Sequence, residues 1–194
     1  FDKGVMERLS DHKVFGVVYV GKFGDEISHE VDHIGLQVGD KVKCRIDWER
    51  RHLFMRYHTA SHILSHVIHK ETGALITGSQ IAEDKCRNDF SLEEFNKDQI
   101  FSFADKANKI IHEGHPVKFY FLSREDVLKD PSLIMLAKGM SPDIKEFRIV
   151  EIESFDRQAC GGCHVRNTSE IGKIHIKDVE NKGRANRRVY FTVE

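Results

Sequence analysis

The sequence predicts an α+β protein: a small N-terminal β-barrel over residues 1–50, then an α+β domain over 51–194. Three observations support this. Short alternating segments separated by glycines fill the first part of the chain. From about Phe54 the apolar period becomes helical. Beyond that, helical stretches lie among scattered strand-like segments with no regular βαβ alternation. The 194 residues suffice for two small domains or one large one.

The elements follow in order. Residues 14–20 (VFGVVYV) are β-rich and 41–46 (KVKCRI) alternate, with turns at Gly21, Gly24, Gly35 and Gly39. The stretch Trp48-Glu49-Arg50-Arg51 reads as a junction. A helix then carries Ile63, Leu64, Val67 and Ile68 at helical spacing, with Gly73 as its stop. Residues 74–81 read as a strand. Ser91-Leu92-Glu93-Glu94 has the capping-box pattern for a helix ending near Glu113-Gly114. Residues 117–122 read as a strand, Ser123-Arg124-Glu125-Asp126 as a short helix start, and 147–152, 174–179 and 189–193 as strands.

Bulk composition excludes several classes. Net charge is −1, so any polyanion must be met by a local patch. Four cysteines, two of them close together in a Gly-rich loop, point to metal binding and a reducing cytoplasm rather than a disulfide framework. No apolar run approaches the ~20 residues of a membrane span, and no signal peptide is visible. The abrupt FDKG start without Met predicts further residues upstream.

His58, His62, His66 and His69 crowd into one short segment, a third of the chain's 12 histidines. At helical spacing they share a stripe roughly 80° wide, with the apolar residues mostly opposite. Two histidines at i and i+4 can grip one ion, although a solvated polar face would look the same. A second cluster, Cys160-Gly161-Gly162-Cys163-His164, offers two thiols and an imidazole, with glycines expected to let the backbone turn sharply. Alone it reads as a redox C-x-x-C or half a zinc site. Together the two clusters supply a four-ligand sphere suited to tetrahedral Zn²⁺.

HTASH followed about a hundred residues later by CGGCH resembles the editing domain of alanyl-tRNA synthetases and their free-standing AlaX relatives. Other stretches are similar to that family's motifs: Gly78-Ser79 with Arg87-Asn88-Asp89-Phe90, Asn108-Lys109-Ile110-Ile111 with Pro116-Val117, Ser169-Glu170-Ile171-Gly172, and Asp2-Lys3-Gly4. The resemblance implies an editing domain of the threonyl/alanyl-tRNA synthetase type. It implies His58, His62, Cys160 and His164 as ligands of Zn²⁺, leaving His66 and His69 as surface residues. Cys163 departs from the family's usual Thr; packing or a weak contact beside the metal is expected for it, and ordinary burial for Cys44 and Cys86.

The implied reaction is zinc-dependent hydrolysis, in trans, of tRNA(Ala) mischarged with serine, with glycine as a further candidate. No catalytic side chain is named; the zinc site is expected to carry the reaction. Thr59-Ala60-Ser61 stands where metalloproteases carry a glutamate base, so the helix offers no general base. Substrate contact is expected at Thr77, Gly78, Ser79 and Gln80, where an ordinary hairpin is the other reading. Lys182, Arg184, Arg187 and Arg188 form a basic loop expected to meet tRNA phosphates; Arg45, Arg50, Arg51 and Arg56 form a second basic group. A solvated charge run is the alternative for each. Two further readings are an editing fragment of a full alanyl-tRNA synthetase and a non-catalytic zinc-stabilised RNA-binding module.

Overall fold

The computed structural model describes residues 2–24, 26–93, 96–136 and 143–194. The chain divides into two compact units, Phe1–Leu53 and Phe54–Glu194. Among the described residues no helix is long and apolar enough to cross a membrane.

The first unit holds four antiparallel strands, β1 (Gly4–Arg8), β2 (Val14–Phe23), β3 (Glu26–Val31) and β4 (Val42–Ile46), in the order β3-β2-β1-β4. The expected barrel does not close: β3 and β4 are the outer strands, and among the described residues they do not pair with each other. Closed or partly closed barrels commonly use about five to eight strands. The four strands among the described residues fall short of that number, and their sheet is open. Phe15 and Val17 are buried, and the Phe15 ring stacks on His33 at 4.6 Å.

Helix α1 spans Trp48–Thr72, six residues earlier than the apolar period suggests. The reason is a cap. The Asp47 carboxylate accepts from the Arg50 backbone N–H at 3.1 Å, satisfying an otherwise orphaned donor. Gly73 ends the helix with φ +72°, its N–H reaching the His69 carbonyl at 2.7 Å.

The second unit builds two sheets against α1. One has the order β10-β11-β6-β5, from β5 (Ile76–Ile81), β6 (Cys86–Phe90), β10 (Ile174–Asn181) and β11 (Arg187–Val193). The other has the order β7-β8-β9, from β7 (Val117–Ser123), β8 (Glu146–Ile152) and β9 (Asp156–Ala159). All these pairings are antiparallel. From Tyr57 to Ile68, α1 is buried nearly all round. Tyr57 meets Phe191 of β11 edge-on, Asn88 of β6 donates to the Ser61 and Ser65 hydroxyls at 2.8 and 3.1 Å, and His66 bonds Asp156 of β9. The helix is therefore held from both sheets.

Helix α2 (Lys97–Glu113) ends at Gly114 as the sequence suggests, but its cap is Asn96. Ser91 instead accepts from the Leu75 N–H, and Glu94 lies outside the described residues. Helix α3 (Arg124–Lys129) starts on the expected Ser123 cap. Two short strands, β6 and β9, carry no clear apolar alternation and are absent from the sequence reading.

Asn108 fastens α2 to the sheet. Its amide donates to the Ile174 carbonyl at 3.0 Å and accepts from the Ile174 N–H at 2.8 Å, as a neighbouring strand would. Ile174 is buried, so water cannot easily substitute. Asn108→Leu removes both bonds and strands two backbone groups; it should cost about 2 kcal/mol or more. Denaturant unfolding checks this, and a cost near zero would mean that the amide is dispensable.

Candidate metal centre

Four side chains from distant segments converge. One ligand atom from each of His58, His62, Cys160 and His164 lies within 4.8 Å of the others. The Cys160 Sγ is 3.4 Å from His58 Nε2 and 3.5 Å from His164 Nε2. Bond lengths of ~2.0–2.3 Å to a tetrahedral ion imply ligand separations of roughly 3.3–3.8 Å. The two sulfur distances match that edge, and the widest pair must close by about 1 Å.

Helix α1 delivers His58 and His62 one turn apart. The C-terminal end of β9 delivers the other pair. Cys160 continues the ladder, donating its N–H to the Arg148 carbonyl at 2.9 Å. The chain then passes Gly161 and Gly162. Neither adopts a left-handed backbone, so sharp turning is not why glycine stands there. A Cβ on Gly162 would lie 2.0 Å from the His58 ring, whereas one on Gly161 would meet open space. Gly162 is required because an imidazole lies against its backbone.

Outer groups fix the rings. Thr59, fully buried, donates its one hydroxyl proton to the Met55 carbonyl at 3.0 Å. Towards His164 Nδ1, 3.1 Å away, it can only accept. This assigns the proton of His164 to Nδ1 and leaves Nε2 a lone pair facing Cys160. Behind His62 lies buried Asp156, with Oδ2 3.8 Å from His62 Nδ1. That contact exceeds a hydrogen bond, and His62 Nδ1 is buried without a partner at bonding distance. Asp156 itself accepts from His66 Nδ1 at 2.8 Å and Gln158 Nε2 at 2.7 Å. His66 is thus half-buried and tied to the site, not the plain surface residue expected. His69 bonds only locally, to the Ala74 carbonyl at 3.0 Å.

The electrostatics favour a cation. Burial would raise the Cys160 thiol, but the imidazoles around it, His164 first and then His58 and His62, outweigh it and hold the thiol at about 2. Burial pushes His164 down to about 3 against the pull of that thiolate. Burial would also lower His62, but Asp156 and Cys160 outweigh it and raise it to about 9. Asp156 stays below the usual carboxylate range: burial opposes this, and His62 and His66 overcome it. A thiolate, three imidazoles and an outer carboxylate form a donor set that fits a divalent metal ion.

The remaining sequence-predicted residues fall elsewhere. Cys163 is exposed and outside the cluster, and Cys44 is exposed too. Buried Cys86 has its thiol pushed up to about 12 by desolvation. Thr77, Gly78, Ser79 and Gln80 lie on β5, an outer strand, where Thr77 donates to Asn186 at 3.1 Å and Ser79 and Gln80 are exposed. In the basic loop, buried Arg187 donates to Asn181, to the carbonyls of Gly183 and Asn186, and to the Glu93 carbonyl. Arg188 grips Asp89 with two bonds of 2.7 and 3.0 Å. Both guanidinium groups are committed to the protein. Lys182 pairs with Glu180 at 2.6 Å, and Arg184 is exposed. In the second basic group, Arg51 pairs with Asp2, and Arg56 donates to the Ile171 carbonyl at 2.9 Å. The sequence reading missed Thr59 and Asp156. The first stands inside HTASH beside a histidine; the second lies four residues before Cys160.

Comparison with known proteins adds independent findings. The family profile "Threonyl and Alanyl tRNA synthetase second additional domain" matches residues 147–190. The "Alanyl-tRNA editing protein AlaX-M" of Methanosarcina acetivorans is 49% identical over 99% of this chain and 81% of its own length. Its namesake in Saccharolobus solfataricus is 46% identical over 87% of this chain and 71% of its own length. An "Alanine--tRNA ligase" of Ignicoccus hospitalis is 34% identical over 90% of this chain but 19% of its own length.

Two outcomes are expected from this geometry. Protonated His62 stabilises the metal-free protein below its ordinary pKa of 6.5, and that contribution is lost as pH rises through about 9. Metal uptake must displace the same proton, so affinity should climb with pH across that window and level off above it. Chelator competition at stepped pH measures this; a flat profile would mean that His62 is already neutral. Separately, Thr59→Val leaves the His164 Nδ1 proton without an acceptor and should weaken metal binding roughly 10–100-fold.

Proposed function

The chain belongs to the family of alanyl-tRNA editing proteins, and from that we propose that it is a zinc-dependent deacylase acting in trans on mischarged tRNA(Ala). The substrate of this reading is the seryl ester, with the glycyl ester second. The convergence of His58, His62, Cys160 and His164 is the observation that carries it. The chain is 49% identical to the AlaX-M protein of Methanosarcina acetivorans and 34% identical to the ligase. The higher identity favours the reading as an editor acting in trans.

The need for such an enzyme is physical. One methyl or one added hydroxyl changes binding in a synthetic pocket by only ~1–3 kcal/mol, too little to reject glycine or serine. A second site can demand a hydrogen bond that only the wrong amino acid makes.

Bound among those four donors, zinc would supply positive charge to polarise the ester or acidify a water. The protein's own groups do the rest. Thr59 holds His164 in one tautomer. Asp156, anchored by His66 and Gln158, backs His62. Cys160 contributes a negative donor without having to shed a proton at neutral pH. An aminoacyl ester is fairly labile, so the lack of a general base on α1 is tolerable.

For selection among esters we propose Thr77, Gly78, Ser79 and Gln80. Gly78 and Ser79 pair with Asp89 and Asn88, and Asn88 bonds Ser61, between the two histidines of α1. The β5 edge thus lies one strand away from the metal helix. For tRNA phosphates we retain Lys182 and Arg184, the members of the basic loop whose side chains are exposed. Arg187 and Arg188 shape that loop. A reducing cytoplasm suits a site built on a free thiolate.

The test is release of labelled serine from seryl-tRNA(Ala), with glycyl- and alanyl-tRNA(Ala) alongside. Serine should be released and alanine spared. His62→Ala and Cys160→Ala each remove a direct ligand, so zinc content and hydrolysis should fall together, by more than the roughly 10–100-fold of an outer partner. His69→Ala should change neither. Full hydrolysis by a metal-free Cys160→Ala protein would rule out a catalytic role for the ion.

A further inference from the structure

Beside the metal loop is a cavity of 450 Å³. Cys160 and Gly161 form one wall; Phe121 and Arg148 form another. Phe121 lies opposite Arg148 in the β7–β8 ladder, so the two project from the same face. Two residues along β7, Phe119 projects from that face as well. Both rings are largely in solvent, at 61% and 54% exposure for Phe119 and Phe121. They meet edge-on with centroids 6.5 Å apart.

Arg148 ties this aromatic pair to the site. Its guanidinium lies 4.4 Å from the Phe119 ring centroid. Its Nη1 donates to the carbonyls of Cys160 at 2.9 Å and Gly162 at 2.8 Å. The platform is therefore anchored to the loop that carries two of the four metal-binding donors.

We propose that Phe119, Phe121 and Arg148 form a stacking platform for the unpaired 3′-terminal bases of the tRNA. This rests on the deacylase reading above and deepens it. The ester to be cleaved is carried on the terminal nucleotide. When its acyl group reaches the metal loop, the adjoining bases must lie within a nucleotide's length of Cys160. Exposed aromatic rings and a guanidinium plane are the groups that bind unstacked bases, and a cationic residue complements the backbone charge. Two exposed phenylalanines on an outer strand otherwise invite aggregation.

The experiment uses the full chain with a tRNA(Ala) transcript carrying 2-aminopurine in place of its terminal adenine. Phe119→Ala, Phe121→Ala and the double variant are compared with the corresponding Trp variants. Both rings are exposed, so truncation spares the core, and zinc content and thermal unfolding verify that. The wild type should shift the 2-aminopurine fluorescence on binding. In the double Ala variant the shift should be lost and the KM for seryl-tRNA raised on the order of ten- to a hundredfold, with kcat changed by less than about twofold. Trp variants should restore both. Removing the terminal adenosine should make wild type and double variant bind alike.

An unchanged KM and fluorescence shift in the double variant would overturn the platform. So would equal weakening toward intact and shortened tRNA, or sedimentation showing a wild-type dimer that the Ala variants break while retaining KM. A wild type that binds the probe with Phe dependence but releases no serine would sink the deacylase reading and leave the platform standing.

Discussion

A half-buried thiolate is the constraint on which the second unit depends. A charge withdrawn from water is costly unless other groups compensate it. Cys160 is surrounded by three imidazoles at close range, and its thiol is held at about 2 despite burial. Each imidazole needs its own support. Thr59 serves His164, and Asp156 stands behind His62. The helix and the β8–β9 sheet must therefore stay in register to within a fraction of a hydrogen bond. Asn88, bracketed by Ser61 and Ser65, clamps the helix from its other side. Gly162 takes part too, since a Cβ there would collide with His58.

Much of this was legible in the sequence, and the remainder has identifiable causes. Helix α1, its Gly73 stop, α3 with its Ser123 cap, and five of the strands of the second unit follow from period and punctuation. The early start of α1 was hidden because its first turn is charged and its cap, Asp47, follows an alternating strand. Strand β6 was hidden because Arg87, Asn88 and Asp89 are polar yet largely buried. Asn88 bonds two serines of α1, and Asp89 takes the Arg188 guanidinium of β11, instead of water. Asp156 was hidden for the same reason: an acidic residue reads as surface unless its histidine partners, some ninety positions away, are known. Periodicity detects apolar burial and overlooks polar burial.

The basic loop teaches the converse. Consecutive cations suggest a polyanion partner, but Arg187 and Arg188 face alternate sides of β11 and are both engaged. Arg187 gathers the carbonyls of its own loop, a task suited to a rigid multi-donor fork. Arg188 neutralises Asp89, which is itself nearly buried. Losing either arginine would harm the fold first, and any effect on tRNA would follow from that. Charge counting cannot separate these roles, because it ignores which donors are already satisfied.

The centre is held from both sides, so on the proposed reading discrimination among esters falls to groups at its rim. On that reading the outer strands β5 and β7 meet the need differently. The β5 edge offers hydroxyl, amide and backbone groups able to test a small polar side chain. The β7 edge offers aromatic surface that is indifferent to the acyl group and suited to bases. On this reading the acyl group is judged at one edge and the nucleotide is held at the other. Hydrolysis is then confined to an ester that satisfies both. An edge strand is where a protein normally blunts its unpaired surface. The two phenylalanines exposed side by side on β7 offer a surface that a flat partner can cover, and a terminal base is the flat partner that this chemistry brings to the site.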